Sequence, residues 1–238
     1  MVEQNRPYVV CHMMSTIDGK IASGVKGVEI LNDHFEIYTQ VEHLLEAKAW
    51  LCGRVTMEMF AQGVGTPLPP LTKEVDSSDF IAPYNGSNFM VAVDTKGLLR
   101  WDSNMITLSN QPEKEHLIVV VTSQTPKDYL AYLQSKSISY VFGGQEEVDF
   151  GELFHKLKDK FHIDRLLLEG GGLLNGSVMA AGLVDEISLL VTPLALNKAS
   201  APSVFERRTD DVDVTKYSLF EVKQMDKDTV WLRYKKKV

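Results

Sequence analysis

Apolar residues in this chain fall in short runs, and the spacing inside each run decides what it can become. Residues 8–14 (YVVCHMM) are nearly continuous and rich in strand formers, which predicts a strand covered on both faces. The run stops in a polar turn, Ser15-Thr16-Ile17-Asp18-Gly19-Lys20, and the chain turns again through Gly24 and Gly27. Residues 35–50 place Phe35, Tyr38, Val41, Leu44, Leu45 and Ala49 on one stripe, as an amphipathic helix requires, with Asn32 or Asp33 as its cap. Leu51-Cys52-Gly53 fits a short buried strand, and residues 54–60 a short helix. Residues 63–86 hold four prolines among Ser, Thr and Asp, and read as a long irregular excursion of the kind often used as a lid.

Strands are predicted at 88–93 and 117–122, with a turn at Asp94-Thr95-Lys96-Gly97 between them. Pro126 opens a helix through Leu133 from the favoured first turn. Residues 138–142 form a strand closed by Gly143-Gly144, and 150–161 an amphipathic helix on Phe150, Leu153, Phe154, Leu157 and Phe161. Residues 165–169 are a buried strand running into Gly170-Gly171-Gly172. A helix over 173–181 is stopped by Gly182, and a strand over 187–192 by Pro193. Residues 217–224 and 229–234 alternate and read as a terminal antiparallel pair. This order predicts an α/β fold, a central mostly parallel mixed sheet with helices on both faces and antiparallel C-terminal strands. Without a linker, repeat or low-complexity tract, residues 1–238 read as a single domain.

Composition narrows the function classes. With 25 basic and 32 acidic residues the net charge is -7, which gives no general attraction for nucleic acid or an anionic membrane. No apolar stretch approaches membrane-spanning length, and Glu3 and Arg6 interrupt the start, so the expected location is cytoplasmic. Cys11 and Cys52 lie in apolar segments and read as small buried hydrophobes. The six histidines lack metal-ligand spacing, and His12, inside a strand, reads as a core residue. P-loop, Cys-x-x-Cys, His-Glu-x-x-His and Gly-x-Ser-x-Gly patterns are all missing.

Candidate chemistry gathers at strand ends, where open α/β sheets bind ligands. Gly170, Gly171 and Gly172 between a buried strand and a helix suit either a phosphate loop or a tight packing turn; their spacing is not that of the dinucleotide fingerprint. Gly53-Arg54-Val55-Thr56 offers a guanidinium and a hydroxyl at a second junction, or simply a helix start with a surface arginine. Ser15, Asp18 and Lys20 put hydroxyl, carboxylate and ammonium in one turn, or make an ordinary Asp-Gly turn. Thr122-Ser123 adds hydroxyls at another strand end, and Glu169 attaches a carboxylate to an apolar strand, as a substrate contact or a cap.

Several segments together resemble a known family. STIDGKIA (15–22), LCGRVTMEMF (51–60), LLLEGGGLLNGSVMAAGLVDEISLLVTPLA (166–195) and APSVFE (201–206) look like the reductase domain of bifunctional riboflavin-biosynthesis proteins, and more closely its stand-alone relatives. AVDTKGLLRWDS (92–103) and ISYVFGG (138–144) are similar to that stand-alone group. The resemblance implies a dihydrofolate-reductase-like fold, NADPH as cofactor, and reduction of the ribose of 5-amino-6-(5-phosphoribosylamino)uracil or a related pyrimidine or pterin. By resemblance, Gly170, Gly171, Gly172, Leu173 and Leu174 would cradle cofactor phosphates. Gly53, Arg54 and Thr56 would hold the phosphate and ribose region, and Thr122 and Ser123 would lie near the 2′-phosphate. Ser15, Asp18, Lys20 and Glu169 would face a small-molecule substrate, with Asp18, Lys20 and Glu169 catalytic. A homodimer is expected on the same ground.

The chain departs from the pattern at Asn197, where the family often has glycine, and at Met57-Glu58-Met59-Phe60, and it lacks a zinc-binding deaminase domain. The competing readings are a dihydropterin reductase and a non-catalytic NADPH-binding regulator.

Overall fold

The structure is a computed structural model that describes residues 5–21, 33–70, 74–107, 114–209 and 214–237. Gly24, Gly27 and Asn32 lie outside the described residues. The chain forms two compact units, one of Met1–Pro7 and Lys48–Asp164, the other of Tyr8–Ala47 and Arg165–Val238.

In the second unit, β1 (Tyr8–Thr16) lies between β9 (Arg165–Leu168) and β10 (Glu186–Thr192), parallel to both. Antiparallel β12 (Val230–Lys236) follows β10, and β11 (Tyr217–Gln224) pairs with β12. β1 is buried through most of its length, as its unbroken apolar run requires. It extends through Ser15 and Thr16, which join the strand rather than the turn. His12 is fully buried between Ser188 Oγ at 3.1 Å and a stacked Tyr38 ring, and burial holds its pKa down at about 4.

Helix α1 (Phe35–Leu44) is shorter than its stripe suggested. Val41 and Leu45 of the predicted stripe are buried, together with Ile37, while Phe35 and Leu44 face solvent. Ala49 and Trp50 belong instead to strand β2 (Ala49–Gly53), where Trp50 Nε1 donates to the buried carboxylate of Glu115 at 2.6 Å. The helix starts at His34 with no side-chain cap, because a short turn at Asp33 and His34 precedes it. Helix α5 (Gly172–Ala180) ends at Gly182, whose φ of +70° stops it as expected.

The first unit holds parallel β2, β4 (Phe89–Val93), β7 (Lys114–Val121) and β8 (Ser139–Phe142), paired in that order. Antiparallel β6 (Met105–Thr107) and a small pair, β3 (Gly63–Val64) with β5 (Leu99–Arg100), are too short to leave a periodic signal. Helix α2 (Arg54–Met57) is a single turn. In α3 (Lys127–Ser135) Pro126 is the cap rather than a first-turn residue. Helix α4 (Phe150–Phe161) buries the five apolar residues its spacing selects, and Asp149 caps it by accepting from Glu152 N at 3.0 Å.

The excursion at 63–86 is not a free lid along its second half. Val75 and Ala82 are buried, Phe80 bridges Tyr140, and Ala82 N donates to Ser139 Oγ at 3.0 Å. Asp79 accepts from Phe142 N at 2.8 Å and pairs with Lys156 and Lys160. These bonds cover the outer edge of β8, a common way to protect an otherwise open strand.

Candidate active site

In the unit of β1, β9 and β10 the strand ends are held by backbone and side-chain hydrogen bonds together. Beyond Thr16 the chain makes a tight turn: Gly19 N donates to Thr16 O, Thr16 N to Lys20 O, and Gly19 sits at φ +75°. Asp18 is exposed, yet both of its oxygens are engaged. Thr16 Oγ1 donates to Oδ1, as does Leu196 N at 3.1 Å, and Asn197 N donates to Oδ2 at 2.8 Å. These donors, Thr16 first, hold its pKa down at about 2, so at neutral pH it is an acceptor only. The Lys20 ammonium donates to Ala201 O at 3.1 Å and Ala199 O at 3.5 Å, while its backbone bridges Ser203. Residues 194–203 thus hold Asp18 and Lys20, while Ser15 is buried in β1, its carbonyl accepting from Thr192 Oγ1 at 3.1 Å. Asn197 contributes its backbone N–H at a φ of +50°, a left-handed conformation that asparagine tolerates and glycine favours.

The three glycines divide their work. Gly170 and Gly171 have φ of +108° and +22°, and a Cβ at Gly171 would meet nothing within 4 Å. Gly172 serves packing, since a Cβ there would come within 2.4 Å of Ser203 O. Gly176, one turn on, would meet Glu206 O at 1.8 Å. Open space therefore lies beside the backbone at the start of α5. The first-turn N–H groups of Gly172, Leu173 and Leu174 have no intrahelical acceptor by helix geometry, so this end suits a phosphate. Glu169 is half-buried, and after burial its charge is the second influence pushing the Cys11 thiol up.

Sequence reasoning missed Asn175 and Glu206. Asn175 is fully buried in α5 and its Nδ2 donates to Val204 O at 2.9 Å. Glu206 N donates to Gly172 O at 2.9 Å, and its carboxylate accepts from Ser203 N at 3.1 Å. A polar amide within an apolar helix was the available signal for Asn175.

In the unit of β2, β4, β7 and β8 the register aligns Gly53 with Val93, Val93 with Val120, and Val121 with Phe142. Gly53, Asp94, Thr122 and Gly143 therefore follow one edge. Gly53 starts α2 in extended backbone, and Arg54, half-exposed, pairs with Glu58 one turn on. Thr56 lies on the same turn, half-exposed. Ser123 is exposed and its N–H donates to Gly144 O at 3.2 Å. Thr122 is fully buried, and its hydroxyl has no partner among the described residues. Of the predicted pair, Ser123 is accessible and Thr122 encloses an unused donor.

In the unit of β1, β9 and β10, glycine backbone beside open space and a helix N-terminus suit an anionic group. The fold is that of a mixed α/β protein whose candidate groups lie at the ends of its parallel strands. The sequence profile of the RibD C-terminal domain matches residues 7–231, and the chain belongs to that family. It is 28% identical over 208 residues to 2,5-diamino-6-ribosylamino-4(3H)-pyrimidinone 5′-phosphate reductase of Methanothermobacter thermautotrophicus, covering 84% of each chain. The protein of the same name from Archaeoglobus fulgidus is 26% identical over 210 residues, covering 84% of this chain and 86% of its own. A pyrimidine reductase-like protein of Corynebacterium diphtheriae superposes with a TM-score of 0.69 at 16% identity, covering 98% of this chain and 93% of its own. That likeness establishes the dihydrofolate-reductase-like fold expected from the sequence.

Proposed function

We propose that this chain is an NADPH-dependent reductase of riboflavin biosynthesis, acting on 2,5-diamino-6-ribosylamino-4(3H)-pyrimidinone 5′-phosphate or its deaminated uracil counterpart. The observation that carries the reading is family membership across residues 7–231, with curated relatives of that reductase name matched over most of both chains. The diamino compound is favoured because it is the one in those relatives' name.

The sugar must open to a C1′=N form, take a hydride at C1′ and gain a proton at nitrogen, giving a ribityl amine. When bound, the reduced nicotinamide supplies the hydride. By resemblance, Gly170, Gly171, Gly172, Leu173 and Leu174 would hold its pyrophosphate, Gly53, Arg54 and Thr56 its ribose region, and Thr122 with Ser123 its 2′-phosphate. The Lys20 ammonium, oriented by two carbonyls, donates the proton. Asp18 fixes the turn that carries Lys20, and Glu169 contacts the polar edge of the pyrimidine.

The protein works in the cytoplasm as a homodimer. Leu219, Phe220 and Val222 are exposed on the terminal strand β11, and an apolar sheet edge of this kind calls for cover. Leu219→Lys with Val222→Lys should give a monomer by sedimentation. Among the described residues no helix is long and apolar enough to cross a membrane.

Fluorescence titration with NADPH and NADH tests the cofactor half of this reading. Binding of NADPH, weakened when Gly171 becomes Ala, is the expected result; binding of neither nucleotide would remove the glycine-loop assignment and the reductase reading with it.

A further inference from the structure

We propose that Thr125 is a positioning residue that makes the β7 strand end selective for a nucleotide carrying a 2′-phosphate. The inference rests on the reading of Thr122 and Ser123 given above. Thr125 is 5% exposed, and its one hydroxyl is used twice. It accepts from Thr122 N at 3.0 Å and donates to Thr95 O at 2.7 Å. Its own N–H donates to Thr122 O at 3.0 Å, closing the turn that carries Ser123 at its tip.

That hydroxyl joins chain segments distant in sequence. Thr95 follows β4, in the turn where Gly97 N donates to Asp94 O at 3.1 Å and Leu99 N to Asp94 Oδ2 at 2.8 Å. Asp94 N in turn donates to Val120 O at 3.0 Å, and Ser123 N to Gly144 O beyond β8. Three strand ends are therefore tied around residues 122–125. The same turn encloses the Thr122 hydroxyl, a donor with no partner among the described residues, beside the exposed Ser123. Two hydroxyl donors held at one strand end suit a phosphoryl group.

Valine matches threonine in shape and cannot hydrogen-bond, so Thr125→Val leaves Thr122 N–H and Thr95 C=O without this partner. The turn then loosens where the 2′-phosphate would be met, whereas NADH, which lacks that group, senses little change. Steady-state kinetics with both nucleotides on the intact protein tests this. Thr125→Val should raise about tenfold both the dissociation constant for NADPH, read by fluorescence titration, and its KM. It should leave kcat with either nucleotide, and the KM for NADH, within about twofold. Thr125→Ser, which keeps the hydroxyl, should restore the NADPH value. If the Val variant fails to fold, Thr125→Cys, with a weak donor and acceptor, should give an intermediate NADPH-selective rise.

A parallel rise for both nucleotides, an unchanged NADPH value, no rescue by serine, or a parent protein without NADPH preference would each overturn the assignment. Binding of neither nucleotide by the parent protein would instead defeat the functional reading on which it rests.

Discussion

The two units finish the carboxyl ends of their parallel strands in different ways. In the unit of β1, β9 and β10, residues 194–206 lie close against the turn at 16–20 and the start of α5, their backbone groups meeting the Asp18 carboxylate, the Lys20 ammonium, the Asn175 amide and the backbone of Gly172. Close approach of backbone demands glycine, and Gly172 and Gly176 supply it. In the unit of β2, β4, β7 and β8, the Thr125 hydroxyl and the buried Asp94 carboxylate join segments beside main-chain bonds such as Asp94 N to Val120 O. Its glycines serve local turns, as Gly97 does at φ +66° against the Tyr129 ring. Where backbone meets backbone at Gly176 no added atom is tolerated, while the Thr125 junction tolerates any residue that keeps its hydrogen bonds.

The harshest way to break this contrast is Gly176→Ala. Its Cβ would fall 1.8 Å from Glu206 O, a backbone atom that can move only with the whole segment. Urea unfolding should show a loss of about 3 kcal/mol or more. A loss under about 1 kcal/mol would mean that the segment is not held as described.

Next comes pH, where both units respond alike and so sharpen the distinction from their strand ends. His12 and His116 are buried and neutral, burial being the main cause that lowers each pKa to about 4. An unfolded histidine takes its proton near pH 6.5, the native one only near pH 4, so the unfolded state binds more protons between the two. Stability is therefore full above pH 6.5 and falls as pH drops to 4, by about 3 kcal/mol for His12. Unfolding curves at pH 7 and 4.5 should show the fall in the parent protein and a smaller one in His12→Asn.

Lys20→Ala removes the proposed proton donor and should lower kcat about a hundredfold with NADPH affinity unchanged. Unchanged turnover would take Lys20 out of the chemistry. The smallest effect on stability belongs to Gly171→Ala, whose Cβ enters open space; backbone strain alone should cost about 1 kcal/mol. NADPH affinity should nonetheless fall clearly, separating a glycine kept for a ligand from Gly176, kept for packing.

Legibility in the sequence follows the same division. The unbroken run of β1, the stripe of α4 and the three glycines after β9 were readable because burial and backbone approach each constrain many adjacent residues. Helix α1 was overextended because Ala49 and Trp50 continue its apolar spacing by coincidence, whereas strand pairing with Phe89 and Met90 decides their state. β3, β5 and β6 are two or three residues long and depend on partners far along the chain. Thr125 was invisible because one threonine in a polar turn has no pattern; only the fold sets Thr95 beside it. Resemblance is what suggests the proposed roles of Arg54 and Ser123, which their local sequence left open.

The central claim is reduction of a ribosylaminopyrimidine phosphate, and the direct measurement is NADPH absorbance on adding that compound, with the product mass followed. The account predicts oxidation of one NADPH per substrate and a product two hydrogens heavier, with the diamino compound turned over at least as well as the uracil. NADPH bound but not oxidised with either pyrimidine, or dihydrofolate turned over in their place, would contradict it.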